Sequence, residues 1–597
     1  MDELGLSIDR NQAVFTAEEK PCDTNQELLQ SDAALEVLTN FIRHLQKHNS
    51  KLLQIFPEEL ASTAASEAAR KLRPTLVRLL EKPLEEVGPN SPLGERILSK
   101  RSQFHQFIEK LYDFWREYQR FLIQTTGKMY EEREDRPYLT FNRHLDELTE
   151  LVRSTYRDIA ENITGDHPII YRQVAAGFEV GLVVDPQNIP YPEPYREKLA
   201  SIPTIDQVTI EPPLVFDPPM NKRTGRFQEV DLNPLDEASI DPSEWLCYPA
   251  QVGDIRIDVF YHKKFIDLGS SLANLFDLVT GDNLKERPSA VYMYGLDPED
   301  MADFGDLPTV FYHDERNDML FGAVPREDRF GYFGYVKKMM LTLHNIQIMK
   351  KGRIPIHGAI TRISLQSGEE ANIAIVGDSG AGKSETLEAF RILGEELIQD
   401  VDIICDDMGS LDVDPQGNVL AYGTEKGAFV RLDDLQQGYA FSQLDRSIFM
   451  SPQKTNARAL MPVTPMETVL EGVPINYFLY ANNYEEIDEE HPIIEKFKDP
   501  SEAKSVFREG ARMSKGTTSE KGLVHAYFAN PFGPPQFREL HEGLADRYFK
   551  ELFETGVFVG EMRTRLGIEG YERKGPEKAA RALLDLIKKE NPAGKQA

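Results

Sequence analysis

The residues best suited to chemistry lie between positions 354 and 407. Gly377-Asp378-Ser379-Gly380-Ala381-Gly382-Lys383-Ser384-Glu385 follows the apolar run Ile373-Ala-Ile-Val376 and opens a segment with helical spacing, Lys383–Leu393. The glycines allow successive backbone N–H groups to turn inward around an anion, and a helix start adds the positive end of its dipole. Lys383 supplies a mobile positive charge and Ser384 a hydroxyl for a metal ion, the pattern that holds the phosphates of a nucleotide such as ATP. Further on, the apolar run Val401–Cys405 ends in Asp406-Asp407. Carboxylates at the end of a buried strand beside such a loop suit Mg²⁺ bridging phosphate oxygens.

These groups need a scaffold, and the chain of 597 residues is long enough for several packed units. With 98 acidic against 68 basic residues its formal charge is -30, which argues against nucleic acid or an anionic membrane as main partner. Cys22, Cys247 and Cys405 have spacings that fit neither a zinc site nor a disulfide framework. The start MDELGLSIDRNQ lacks a basic segment followed by an apolar one, and no run of roughly 18 apolar residues occurs. The expectation is a soluble, cytoplasmic protein.

Four regions are expected. Residues 1–24 read as a flexible tail. Residues 25–165 read as a helical unit, because Leu35–Leu53 and Phe104–Glu132 carry apolar residues at helical spacing, the latter at Phe107, Leu111, Phe114, Tyr118, Phe121 and Leu122. Residues 166–330, rich in proline with short β-like runs such as Val208–Ile210 and Ile255–Tyr261, read as an α+β lobe. Residues 331–597 alternate β-like and helical segments around the glycine loop and read as a mixed-sheet α/β lobe.

His357, in the strand-like Ile354-Pro-Ile-His357-Gly-Ala-Ile360, precedes the loop, an order that resembles the phosphoenolpyruvate carboxykinase and HPr kinase superfamily. The local wording His357-Gly-Ala-Ile, Gly-Lys-Ser-Glu385 and Asp406-Asp407 is similar to HPr kinase/phosphorylase. Tyr332-Phe-Gly-Tyr-Val-Lys337-Lys338, Thr455-Asn-Ala-Arg458, Ser514–Gly522 and Tyr527–Phe532 resemble carboxykinase segments, in the same order, across residues 331–589. Gly358 departs from that pattern, standing where carboxykinases have cysteine.

The resemblance implies a two-lobed α/β fold of carboxykinase type, with the nucleotide on the C-terminal lobe, the substrate on the α+β middle lobe and the N-terminal helical unit as an addition of unknown partner. It implies Lys338, His357 and Asp407 as ligands of Mn²⁺ or Mg²⁺, with Asp406 beside them and Ser384 on the metal carried by ATP. Lys338 could ligate only if a nearby cation drives its ammonium to neutral. Arg458 and Lys383 would neutralise the moving phosphoryl group, while Arg226 and Tyr332 would hold a small carboxylate substrate. The implied reaction converts oxaloacetate and ATP to phosphoenolpyruvate, ADP and CO₂. The alternatives are a kinase of a protein serine or small-molecule hydroxyl, in which His357, Asp406 or Asp407 acts as base, and an ATP-binding regulator without turnover.

Overall fold

The computed structural model describes residues 5–18, 20–125, 137–225, 227–306, 308–432, 444–514 and 522–590. The chain forms two compact units, one of residues 1–186 with 203–211, the other of residues 187–202 with 212–597. Neither the 165/166 nor the 330/331 boundary expected from sequence coincides with this division. Each unit is mixed α/β. Among the described residues no helix is long and apolar enough to cross a membrane.

In the first unit, strands β1 (Gly5–Asp9), β2 (Gln12–Ala17), β3 (Gln119–Thr125), β4 (Val180–Asp185) and β5 (Thr204–Ile210) lie side by side in that order. The pairs β1–β2 and β4–β5 are antiparallel, while β2–β3 and β3–β4 are parallel. Helices α1 (Asp32–Lys47), α2 (Ala65–Arg78), α3 (Arg101–Arg116) and α4 (Pro137–Thr164) supply the rest of its core. The α1 start is fixed by Ser31, whose side chain accepts from the Ala34 N–H, and its stripe Val37, Leu38, Phe41, Ile42 and Leu45 is buried.

Two expectations fail here for identifiable reasons. The tail expected over residues 1–24 contains the β1–β2 hairpin, and Ala13 is fully buried. Its alternation spans only a few residues a strand, too short to stand out without the neighbouring β3. The single helix expected over Phe104–Glu132 ends at Arg116, and Tyr118, Phe121 and Leu122 lie beyond it. Phe121-Leu-Ile123 is buried on both faces of the sheet, so its contiguous apolar run mimicked a continuing helical stripe. The unit is therefore a sheet with helices rather than a helical bundle; residues 126–132 of that expected helix lie outside the described residues.

In the second unit, β6 (Gln228–Val230), β7 (Trp245–Val252), β8 (Ile255–His262), β9 (Ala290–Leu296), β10 (Val310–Asp314) and β11 (Met319–Pro325) form one sheet in the order β7-β8-β9-β11-β10-β6. Helix α5 (Phe333–Lys350) follows. It is buried nearly all round because it packs on β9 and β11 on one side and on the next strand, β12 (Ile354–Leu365), on another.

The second sheet runs β16-β15-β12-β13-β17-β18, where β13 is Glu370–Val376, β15 Met408–Val413, β16 Val419–Gly423, β17 Tyr477–Asn482 and β18 Phe558–Arg563. Strand β14 (Ile398–Cys405) also pairs with β12, and helix α6 (Lys383–Leu397) connects β13 to it. The antiparallel β12–β13 pair is followed by parallel β13–β17 and β17–β18 pairs, a mixed sheet.

One register detail positions the site. Strand β12 pairs Ile360 with Cys405 at the end of β14 and His357 with Met408 at the start of β15. Asp406-Asp407 therefore span the gap facing Ala359 and Gly358, and the Gly358 N–H donates to the Asp407 carbonyl at 3.0 Å. A Cβ at position 358 would lie 2.7 Å from the Ile375 carbonyl oxygen on the neighbouring strand. Glycine allows β12 and β13 to approach this closely where cysteine would not.

Candidate active site

The β13–α6 connection is held from outside. The Gly377 N–H donates to the His357 carbonyl (3.0 Å), the Asn483 amide to Gly380 O (2.9 Å) and the Thr564 hydroxyl to Ala381 O (2.8 Å). Gly380 and Gly382 adopt φ of 82° and 103°, the left-handed region that admits glycine without strain. With the loop carbonyls engaged outward, the helix start presents the N–H groups that no earlier turn can satisfy. Lys383, 6% exposed, folds back to donate to Gly377 O (2.5 Å) and Asp378 O (3.3 Å).

Asp378 accepts from Arg512 Nε at 2.8 Å. Burial works against its charge, but His357 and Arg512 outweigh it and hold the carboxyl below its ordinary range.

Beside the loop stands a wall of buried and half-buried ionisable groups. Lys337 and Lys338 are neighbours on α5, but successive helical residues point in different directions. Lys337, 1% exposed, donates to Asp407 Oδ2 at 2.7 Å and pairs with Glu425 Oε1 at 3.0 Å. Burial pulls its ammonium down, and the two carboxylates more than reverse that, raising it above the ordinary lysine range. Lys338 instead lies 4.9 Å over the Phe532 ring, and burial together with the Arg223 guanidinium brings it down to about 8.

His357 Nδ1 lies 2.6 Å from Ala529 O and Nε2 3.0 Å from Asp407 Oδ1. Both neighbours are acceptors, so the contacts are satisfied when each nitrogen carries a proton or when a cation replaces the Nε2 proton. The Ala529 carbonyl is presented by an unusual turn: Phe528, Ala529 and Asn530 have φ of 47°, 59° and 63°, three successive left-handed residues without a glycine. Each such residue costs about 1–2 kcal/mol, strain of the kind that collects at functional sites.

The acidic pair is split electrostatically. For Asp407, burial opposes ionisation, yet Lys337 and His357 hold it well below the usual carboxylate range. For Asp406, burial and the Asp407 charge outweigh Lys383 and Lys337 and push it up to about 6. Glu425 is pushed to about 7 by burial, with Lys337 only partly offsetting this.

Loop and wall face one cleft of ≈1550 Å³. Of the expected residues, Lys338, His357, Lys383, Asp406, Asp407, Arg458 and Tyr332 line it together with Asp378, Ser379, Gly380, Ser384 and Glu385, whereas Gly377, Ala381 and Gly382 do not. Arg458 lies 5.1 Å over the Phe429 ring. Arg226 lies outside the described residues, as do residues 515–521; its neighbour Arg223 lines the cleft. The segments carrying Arg223 and Arg458 are tied together, with the Asn221 amide donating to Thr455 O and the Asn456 amide to Asn221 O.

Among the described lining residues are ten lysines and arginines but only five carboxylates, Asp378, Glu385, Glu388, Asp406 and Asp407. In a chain of net charge -30 this is a local reversal of sign. Such a concave basic surface concentrates anions.

Among the described residues no group of three or more His, Cys, Asp and Glu side chains is gathered as a metal cage. His357 Nε2 and Asp407 Oδ1 form an imidazole–carboxylate pair, donors that fit Mn²⁺ or Mg²⁺ when substrate oxygens and water complete the shell. Sequence reasoning missed Lys337 as the partner of Asp407, and also Glu425, Arg223, Arg512, Asn483 and Thr564. No protein-family model matches the chain, and no curated protein matches it.

Proposed function

We propose that the second unit is an ATP-dependent phosphotransferase of carboxykinase type, acting on a small carboxylate. The observation that carries the reading is the glycine loop between β13 and α6 opening onto a basic cleft that also holds Lys338, His357, Asp407 and Arg458. A nucleotide site alone needs the loop; the ionisable wall beside it supports chemistry.

In this reading the loop N–H groups hold the β- and γ-phosphates, and Lys383 exchanges its two carbonyl acceptors for phosphate oxygens. Arg458 and Arg223 receive the anionic acceptor, with their fixed charge set against the transferring phosphoryl group. A divalent cation held by His357 and Asp407, with Lys338 as a third donor, would offset charge on the enolate and phosphate oxygens. Lys337 keeps Asp407 ionised and correctly turned, and Glu425 keeps Lys337 in place. With oxaloacetate, loss of CO₂ leaves the enolate oxygen as the nucleophile, so no general base is needed; the products are phosphoenolpyruvate, ADP and CO₂.

A second reading, transfer to a hydroxyl, rests on Asp406. A carboxylate pushed up to about 6 beside the phosphate loop is suited to accept a hydroxyl proton. The two readings separate in one assay: purified protein with ATP, Mg²⁺ and Mn²⁺, with and without oxaloacetate, followed for ADP and phosphoenolpyruvate. Formation of phosphoenolpyruvate supports the first. ADP release indifferent to oxaloacetate sinks it and favours the hydroxyl kinase.

A further inference from the structure

We propose that Arg512, held against the start of the phosphate loop by Asp378, contacts the γ-phosphate of ATP and makes the site distinguish ATP from ADP. The inference rests on the nucleotide part of the function proposed above and holds whichever acceptor takes the phosphoryl group.

The first half of the loop has its own donors engaged. The Gly377 N–H donates to His357 O (3.0 Å), the Ser379 N–H to Asp378 Oδ1 (2.7 Å) and the Ala381 N–H to Asp378 O (3.0 Å). Phosphate oxygens over this half must find their partners in side chains, and two cations converge on it. Lys383 Nζ donates to Gly377 O and Asp378 O, and Arg512 Nε donates to Asp378 Oδ2 at 2.8 Å. In a loop of this kind the lysine reaches the β- and γ-phosphates, so an arginine anchored at the same residue stands at the γ end.

The backbone around Arg512 is tied to the loop as well. Arg512 lies in the short strand Ala511–Met513, paired antiparallel with Leu523–His525. The fully buried Asn483 amide donates to Met513 O and to Gly380 O, 2.9 Å each, while its carbonyl accepts from the Met513 N–H at 2.7 Å. Arg512 and Asp378 are each 7% exposed, and both line the cleft beside Ser379, Gly380 and Lys383. A carboxylate inside an anion-binding loop repels phosphate, and pairing with Arg512 cancels that charge. A guanidinium is a planar fork of five N–H donors, so it spans a carboxylate and a phosphate at once, which an ammonium on a flexible stem does less well.

Calorimetric titration of the full chain with MgATP and with MgADP tests this in the double variant Arg512→Gln/Asp378→Asn, which removes both charges together and leaves no unpaired buried ion. ADP should bind within about threefold of wild type, while ATP weakens by about 10–100-fold, the worth of one hydrogen bond to a charged group. If Arg512 serves only to offset Asp378, the two nucleotides change together, and that result overturns the proposal. Should the double variant fail to fold, Arg512→Lys decides. It keeps a charge beside Asp378 without the fork, and ATP should lose at least about threefold against ADP; an unchanged ratio overturns the proposal. A wild-type chain that takes up neither nucleotide would instead remove the nucleotide reading itself, and this inference with it.

Discussion

The phosphate loop and the wall beside it face the same cleft but are built in opposite ways. Along residues 377–384 the chemistry comes from the backbone, whose carbonyls are tied outward by Asn483 and Thr564 while a helix start faces in. Beside it the chemistry comes from side chains: buried Lys337 pairs with Glu425 and with the partly exposed Asp407, whose other oxygen lies 3.0 Å from His357 Nε2. A backbone site tolerates change in most side chains that flank it. A buried charge network depends on every member, because removing one leaves its partner ionised and unpaired.

Breaking the network should therefore give the largest effect, and give it on stability. Lys337→Met takes away the cation between Asp407 and Glu425 and leaves Glu425 without its partner, and urea unfolding should register a loss of about 3–5 kcal/mol. Adding Glu425→Gln should recover part of it. An unchanged unfolding midpoint in the single variant would show that the network holds nothing together.

On the loop side the expected loss is of binding. Lys383→Ala should weaken ATP by at least about a hundredfold, or roughly 2.7 kcal/mol, in calorimetric titration while leaving the unfolding midpoint near wild type. If it instead unfolds the protein, the contrast between loop and wall disappears.

His357→Ala sharpens the comparison from the wall. ATP should still bind within about threefold of wild type while turnover falls about 10–100-fold. Full turnover in this variant would remove the His357–Asp407 pair from the mechanism.

The smallest effect concerns pH. Lys338 is brought down to about 8, so it becomes a neutral potential ligand as pH rises through that value, and Mn²⁺ affinity should climb by up to about tenfold per pH unit below it and level off above. Lys338→Arg, which stays charged, should flatten the climb. A profile identical in wild type and variant would show that Lys338 stays off the metal.

The same contrast explains what could be read from the sequence. The loop is legible because its glycines, Lys383 and Ser384 are contiguous, and the strand before and helix after are visible in the spacing. Asp406-Asp407 is legible for the same reason. The wall is not: Lys337 and Lys338 are indistinguishable until the rotation of α5 is known, and Glu425 is far from both in sequence. Asn483 and Thr564 carry no motif because their work is to hold backbone carbonyls. In the first unit, β3 was hidden by an apolar run that continues the stripe of α3, and β1–β2 was hidden because each strand is short.

The left-handed turn at Phe528-Ala529-Asn530 bears on how this protein would respond to selection. Glycine at position 529 would adopt the same conformation without strain, so a screen for heat resistance alone should favour Ala529→Gly. The same change gives the turn freedom to move the carbonyl that orients His357. Variants chosen for endurance should then lose turnover at this position, and variants chosen for turnover should keep the alanine and its cost.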